Sequence, residues 1–257
     1  MDNNNYLINI QTVQANAIRI LIESLKDILN DVNIIFLHDS IKITSMDGSK
    51  NAIVFLKLDK EKFENYYVKE KFMAGVNMTS FFKIIKSMKN SDSIKFYVTN
   101  NNLTKLNIEI ENREKKTFIK SGLKLLDIDD NILEIPDIKF DCVYNMPSND
   151  FQSHMRDLSI ITSKVSISSN NGKIIFKGNG DFADRTIQIG ECNSESLVNL
   201  NATGQFNIKY LLLFTKSTNL CTTVEIYLKN EFPLVLVYNV ANLGKLKYIL
   251  SPLVDEN

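Results

Sequence analysis

The order of elements in the first half of the chain returns in the second. Residues 13–30 (VQANAIRILIESLKDILN) set Ile18, Leu21, Ile22, Leu25, Ile28 and Leu29 on one helical stripe, with Arg19, Glu23 and Lys26 opposite. Short β-branched runs broken by polar turns follow, IIFLHDSIKITSMDGSKNAIVFLKLD, and their period of two predicts strands. A second helix is predicted over 78–89, with Thr79 or Ser80 as N-cap. It buries Phe81, Ile84, Ile85 and Met88 and leaves Lys83 and Lys86 on the other side. Strands resume with SIKFYVTN, TKLNIEIEN and KKTFIKSGLKL. Then a third helix is predicted over 148–162, capped by Ser148 or Asn149, with Phe151, Met155 and Leu158 inward. Strands VSISS, KIIFKG and RTIQIG lead to a fourth helix over 207–217, which carries Lys209 and Lys216 on one face, and TVEIYLK and FPLVLVYNV close the series. First helices begin near 13 and 148, second helices near 78 and 207, so the 257-residue chain is an internal duplication.

That repeat predicts an α+β protein of two like-folded domains, each with two helices packed on antiparallel sheets. The boundaries fall at 1–123 and 137–257. Between them residues 124–136 form a connector, within an acidic stretch, LKLLDIDDNILEIPDIK, that contains Pro136 and shows neither period cleanly. Thirty basic residues balance thirty acidic ones, so attraction to a polyanion can come only from local segregation of charge. Nine Gly and four Pro exclude collagen-like and low-complexity classes. The longest apolar runs, residues 210–214 and 233–238, are far short of the roughly 20 residues of a membrane span. The N-terminus lacks a basic region followed by an apolar one, so neither a signal peptide nor a membrane anchor is expected. Cys142, Cys192 and Cys221 stand singly, which points to a reducing compartment and to three buried thiols.

Enzyme readings find little support. His38 and His154 are isolated, without metal-ligand spacing. Asp127, Asp129 and Asp130 resemble the opening of a calcium loop, but Asn131 and Ile132 stand where the later glycine is required. No Walker A, GxSxG or GxGxxG string occurs, so no cofactor, metal or catalytic residue is expected. A nucleic-acid-processing enzyme with carboxylates scattered in sequence stays open as the alternative to a non-catalytic protein.

Seven local strings carry a more specific signal: LIESLKDILND, ITSMDGSK, MAGVNMTSFFKIIK, LDIDDNILEIPD, FQSHMRDLS, YLLLFTKST and FPLVLVYNVANLGKLKYILSP. Together, in order and spacing from residue 13 to 252, they resemble PCNA, the eukaryotic and archaeal sliding-clamp family. The resemblance implies the DNA clamp fold, a ring of three subunits with sheets outside and helices lining a hole around duplex DNA. It implies a processivity factor of DNA replication and repair, in the nucleus or a viral replication compartment, acting with DNA polymerase, clamp loader, flap nuclease and DNA ligase. A clamp acting as a monomer, or binding DNA through a basic outer face, is the alternative within the same fold.

Arg19, Lys26, Lys83, Lys86, Arg156, Lys209 and Lys216 lie on the polar faces of the four predicted helices. Helix by helix this suits an ordinary solvated face; what favours DNA contact is its occurrence on all four, and the resemblance turns these faces toward the hole. Glu23, Asp27 and Asp157 dilute the charge, and Leu212 departs from the polar residue expected between Lys209 and Lys216. The resemblance further implies a partner-peptide pocket at Met46, Ile53, Leu133, Ile135, Pro233, Ile249 and Pro252. It would take a short helical turn of pattern Q-x-x-aliphatic-x-x-aromatic-aromatic. Near it Glu134, Lys50, Asn207 and Ser251 depart from the family pattern. Subunit contacts are implied at Phe118, Ile119, Ile174 and Phe176, on strands near 116–123 and 174–184, with Ser121 where an aromatic is common. The family's modified lysine falls at Asn170.

Overall fold

The computed structural model describes residues 4–129, 133, 140, 142–170, 172–190 and 202–253. The chain divides into unit 1 (Met1–Gly48, Val54–Leu133 and Asn239–Leu246) and unit 2 (Ser49–Ile53, Glu134–Tyr238 and Lys247–Asn257).

Through unit 1 run β1 (Tyr6–Thr12), α1 (Ala15–Leu25), β2 (Asp31–Phe36), β3 (Ser40–Met46), β4 (Ala52–Asp59, from Val54 onward in this unit) and β5 (Asn65–Val68). Next come β6 (Phe72–Asn77), α2 (Met78–Ile85), β7 (Ser93–Thr99), β8 (Asn102–Asn112) and β9 (Thr117–Lys124). One antiparallel sheet has the order β5-β1-β7-β8-β9, and in the other β4, β3, β2 and β6 lie side by side. Alternation on β2 and β4 turns Val32, Ile34, Phe36, Val54, Leu56 and Leu58 inward. Against them α1 buries Ile18, Leu21, Ile22 and Leu25, and α2 buries Met78, Phe81 and Ile85. Phe81 meets Phe96 of β7 edge-on at 6.0 Å. Ile18, Ile34, Leu56, Phe81, Phe96 and Leu106 bound one small apolar cavity, so both helices and both sheets share a single core.

Unit 2 repeats the plan. Its elements are β10 (Cys142–Pro147), α3 (Ser148–Ser159), β11 (Lys164–Asn170), β12 (Lys173–Asn179), β13 (Asp184–Ile189), β14 (Thr203–Asn207), α4 (Ile208–Phe214), β15 (Thr223–Leu228), β16 (Leu234–Val240) and β17 (Gly244–Leu250). The turn joining the last two belongs to unit 1. One sheet has the order β13-β12-β11-β14, and β10 and β16 flank β15 in another. Phe151 of α3 packs on Phe176 at 6.1 Å, and Phe214 of α4 stacks on Tyr248 at 4.4 Å. Among the described residues no helix is long and apolar enough to cross a membrane.

All four predicted helices form, and each is shorter than its predicted span. Beyond α1, Ile28 and Leu29 stay buried in turns. Beyond α2, Asp92 accepts from the Lys89 amide at 2.8 Å and competes with the next helical bond. Thr215 and Thr218 donate to the carbonyls of Leu212 and Thr215, and α4 gives way there to a tighter 3₁₀ stretch, Thr215–Leu220. The caps also differ from expectation. Asn77, not Thr79 or Ser80, caps α2, accepting from the Ser80 amide at 2.9 Å, and Asn207 caps α4 in the same way through the Lys209 amide at 3.0 Å. In α3 Pro147 holds the N-cap position and neither Ser148 nor Asn149 does. Asn77→Ala is expected to cost about 1 kcal/mol, read as a lower urea midpoint at unchanged slope. Of the three thiols expected to be buried, Cys142 is buried, Cys221 is half-buried, and Cys192 lies outside the described residues.

Candidate functional site

In each unit the two helices pack side by side: Lys26 at the end of α1 sits 5.2 Å over the Phe82 ring of α2, and Gln152 of α3 donates to the Thr215 carbonyl at 2.8 Å. Their inward stripes are buried, which leaves the opposite faces to the basic residues. Lys83, Lys86, Arg156 and Lys209 are exposed and carry no ion pair among the described residues; Lys216 is exposed within the 3₁₀ stretch. Arg19 and Lys26 differ. Both are half-buried: Arg19 bonds Glu23 at 2.9 Å and Asn16, and Lys26 pairs with Asp27 at 3.0 Å. Those acids neutralise much of what α1 offers to an anion, so α2, α3 and α4 supply most of the available charge. Leu212 is half-buried, and it interrupts the polar face of α4. Chemically, separated and exposed ammonium and guanidinium groups suit loose phosphate contact that reads no sequence.

On the outer face of the five-stranded sheet Lys105 and Lys124 are exposed as a cross-strand pair, and two further lysines are held by an acid. Lys95 and Lys120 flank Glu109 at 3.8 and 3.7 Å and lie 5.1 and 5.5 Å from the Tyr97 ring. The hydrogen bond to Tyr97 raises the Lys120 pKa, while burial raises that of Tyr97. Lys95 and Lys120 are tied into a cross-strand ladder, and their charge is partly cancelled there.

Two open sheet edges carry apolar side chains. On β9, Phe118 is 61% exposed and Ile119 47% exposed. Ile119 lies opposite Ile110, on the core side of the sheet, so it prolongs the core to an uncovered edge, whereas Phe118, opposite Glu111, is on the outer side. Ser121 shares the core side, opposite Ile108. The expectation for Ile174 and Phe176 is corrected: they are 2% and 0% exposed, on β12, one strand inside the edge, where they pack under the helices. Their cross-strand partners Ile189 and Ile187 on β13 are half-buried at the open edge. The RTIQI alternation announces both side chains, but only the sheet order shows that their strand is outermost. Met46, Ile53, Leu133, Pro233, Ile249 and Pro252 are all half-buried, and Ile135 lies outside the described residues.

His38 is exposed and His154 half-buried. Among the described residues no group of three or more His, Cys, Asp or Glu side chains stands close enough to hold a metal ion.

Comparison with known proteins accounts for this duplicated architecture. The family model for the proliferating cell nuclear antigen N-terminal domain matches residues 7–132, and that for the C-terminal domain matches residues 134–253. A curated relative, "Probable DNA polymerase sliding clamp 1" of Paramecium bursaria Chlorella virus 1, is 37% identical over 262 residues, spanning 99% of this chain and 100% of the relative. With both halves matched in order and a relative aligned along its whole length, the chain belongs to the proliferating cell nuclear antigen family.

Proposed function

We propose that this chain is a DNA polymerase sliding clamp, a processivity factor that keeps a polymerase on its template by encircling duplex DNA. The observation that carries it is the tandem match of both clamp domains over 7–132 and 134–253. Support comes from exposed cations on adjacent helices of both units. Residues 1–123 and 137–257 are the two clamp domains of this reading, joined by a connector at 124–136. Three copies close head to tail, with β9 of each meeting β13 of the next, because each chain has two unlike open edges with incompletely covered core-side isoleucines. Lys83, Lys86, Arg156, Lys209 and Lys216 contact phosphates, with lesser parts for Arg19 and Lys26. The half-buried apolar residues at 46, 53, 133, 233, 249 and 252 receive partner peptides of polymerase, clamp loader, flap nuclease and ligase, in replication and repair. The protein has no chemistry of its own and works in the nucleus or at a viral replication site.

Lys83→Glu combined with Lys216→Glu tests the DNA path. Removing one lysine–phosphate pairing should flatten the slope of log affinity against log salt by about 0.9. The doubly substituted clamp, loaded on circular duplex, is expected to keep its mass while polymerase run length falls several-fold at physiological salt. Unchanged run length would show that these helices do not face the DNA.

A further inference from the structure

Gly75 lies in the middle of β6, the edge strand beside β2, and its cross-strand partner there is Asn33. The two residues face the side of the sheet away from the core, since Val32, Ile34, Ala74 and Val76 on either side of them are buried. The chain beyond β9 passes over this pair. Leu125 donates its amide to the Thr104 carbonyl at 3.0 Å, and Leu126 donates to the Gly75 carbonyl at 2.8 Å, making an isolated antiparallel bridge. Two residues on, the Asn33 side-chain amide donates to the Ile128 carbonyl at 3.1 Å. The crossing is possible only because residue 75 has no side chain. A Cβ there would strike the Leu126 carbonyl oxygen and stand 3.1 Å from Ile128 Cδ1.

We infer that Asn33 and Gly75 form a seat that fixes the start of the segment leading to Leu133, and that the seat sets the chain's affinity for partner peptides. The inference rests on the peptide-docking part of the proposed function. A bridge on an edge strand plus one side-chain hook is a local structure of its own, able to open without unfolding the core. While it is closed, residues 125–128 are already ordered, and a peptide that uses the apolar residues further along loses less conformational freedom on binding. Once it is open, the peptide must order that stretch as well, and affinity falls accordingly. Asn33 and Gly75 are therefore positioning residues. They touch no partner themselves and act through the backbone they hold.

The neighbouring residues explain why a small, neutral pair serves here. Leu126, Asp127 and Asp129 are exposed and Leu125 and Ile128 only half-buried, so hydrogen bonds carry much of the attachment of the strap. An acid at 33 would lose the donor that Ile128 needs and would stand near Asp127 and Asp129. A methyl at 75 would displace the strap by steric contact alone. The two substitutions open the same seat by unrelated routes.

Amide hydrogen exchange and calorimetry with a synthetic peptide of pattern Q-x-x-aliphatic-x-x-aromatic-aromatic, both on the full chain, test the inference. In the parent, the Leu126 amide is expected to be protected. In Asn33→Asp, which keeps the shape of the side chain and removes the donor, exchange at Leu126 should quicken at least tenfold, with melting temperature and subunit mass unchanged. Peptide affinity should fall by the factor by which the closed fraction falls, about fivefold where exchange at Leu126 approaches that of an unstructured amide. Gly75→Ala should weaken the peptide about tenfold; should that variant fail to fold, Asn33→Asp still decides. Faster exchange at Leu126 with parental peptide affinity overturns the inference, and so does a parent whose Leu126 is unprotected. A parent that protects Leu126 and binds no peptide overturns the docking reading instead, and the affinity consequence with it.

Discussion

Ile119→Asp is expected to turn a complex of about three times 29.4 kDa into a 29.4 kDa monomer at micromolar concentration. Ile119 lies on the core side of β9 at the sheet's open edge, and 47% of it is uncovered. A neighbour's β13 would cover it with Ile187 and Ile189, which continue the other core to the other open edge. A carboxylate set there would be desolvated without a cation to meet it, at a cost of several kcal/mol. Each 1.4 kcal/mol is a factor of ten, so the subunit interface should weaken at least a hundredfold. Phe118→Asp is expected to do less, because residue 118 is on the outer side of the sheet, where a carboxylate keeps its contact with water. Ile187→Asp should dissociate the ring as Ile119→Asp does. Mixing the two variants should restore one interface, between the sound β13 of one chain and the sound β9 of the other, and no more. Light scattering should then report about twice 29.4 kDa. A trimer that survives either single substitution would exclude this pair of edges.

Periodicity in the sequence was enough to find the duplication and the buried stripes, because α1 to α4 each present an apolar face that no strand pattern imitates. It overran their ends, since hydroxyl and carboxylate side chains at Thr215, Thr218 and Asp92 take backbone partners that a helix would have used. It passed over β1, β5, β10 and β17, which lie outside the runs it singled out, and over β6 and β14. FMAGVN and TGQFN have weak strand propensity and form strands because β2 and β11 pair with them residue by residue. Asn77 and Asn207, one residue ahead of their helical runs, are caps that an asparagine in that position could have announced. The reversal at Ile174 and Phe176 has a different cause. Alternation tells which residues of a strand share a face, while the order of strands across a sheet decides which of those faces ends in the open. The family resemblance implies the kind of contact, and the pairing of β12 with β13 identifies Ile187 and Ile189 as the core-side isoleucines at that open edge.

Ile249→Ala is expected to weaken the same synthetic peptide about tenfold while leaving the fold and the subunit mass as they are. On β17 the side chains at 246, 248 and 250 are buried, whereas Ile249, with the opposite orientation, is half-buried. It is an aliphatic side chain on the face of the strand where a purely structural role would favour a polar one. Pro252, three residues on, and Pro233, just before β16, are half-buried too, and neither has an amide hydrogen to compete for a partner's backbone. Side chains of this kind suit an aromatic anchor, and truncating one wall of an anchor's site costs on the order of 1 to 3 kcal/mol. A fully buried core isoleucine would behave otherwise: cutting it to alanine would remove about 2 to 5 kcal/mol from folding itself. Calorimetry and thermal melting on one preparation separate the two accounts. Reduced affinity with an unchanged melt assigns Ile249 to the docking surface. Parental affinity with a lowered melt assigns it to the core, and the same pair of measurements on Met46→Ala applies the test independently to unit 1.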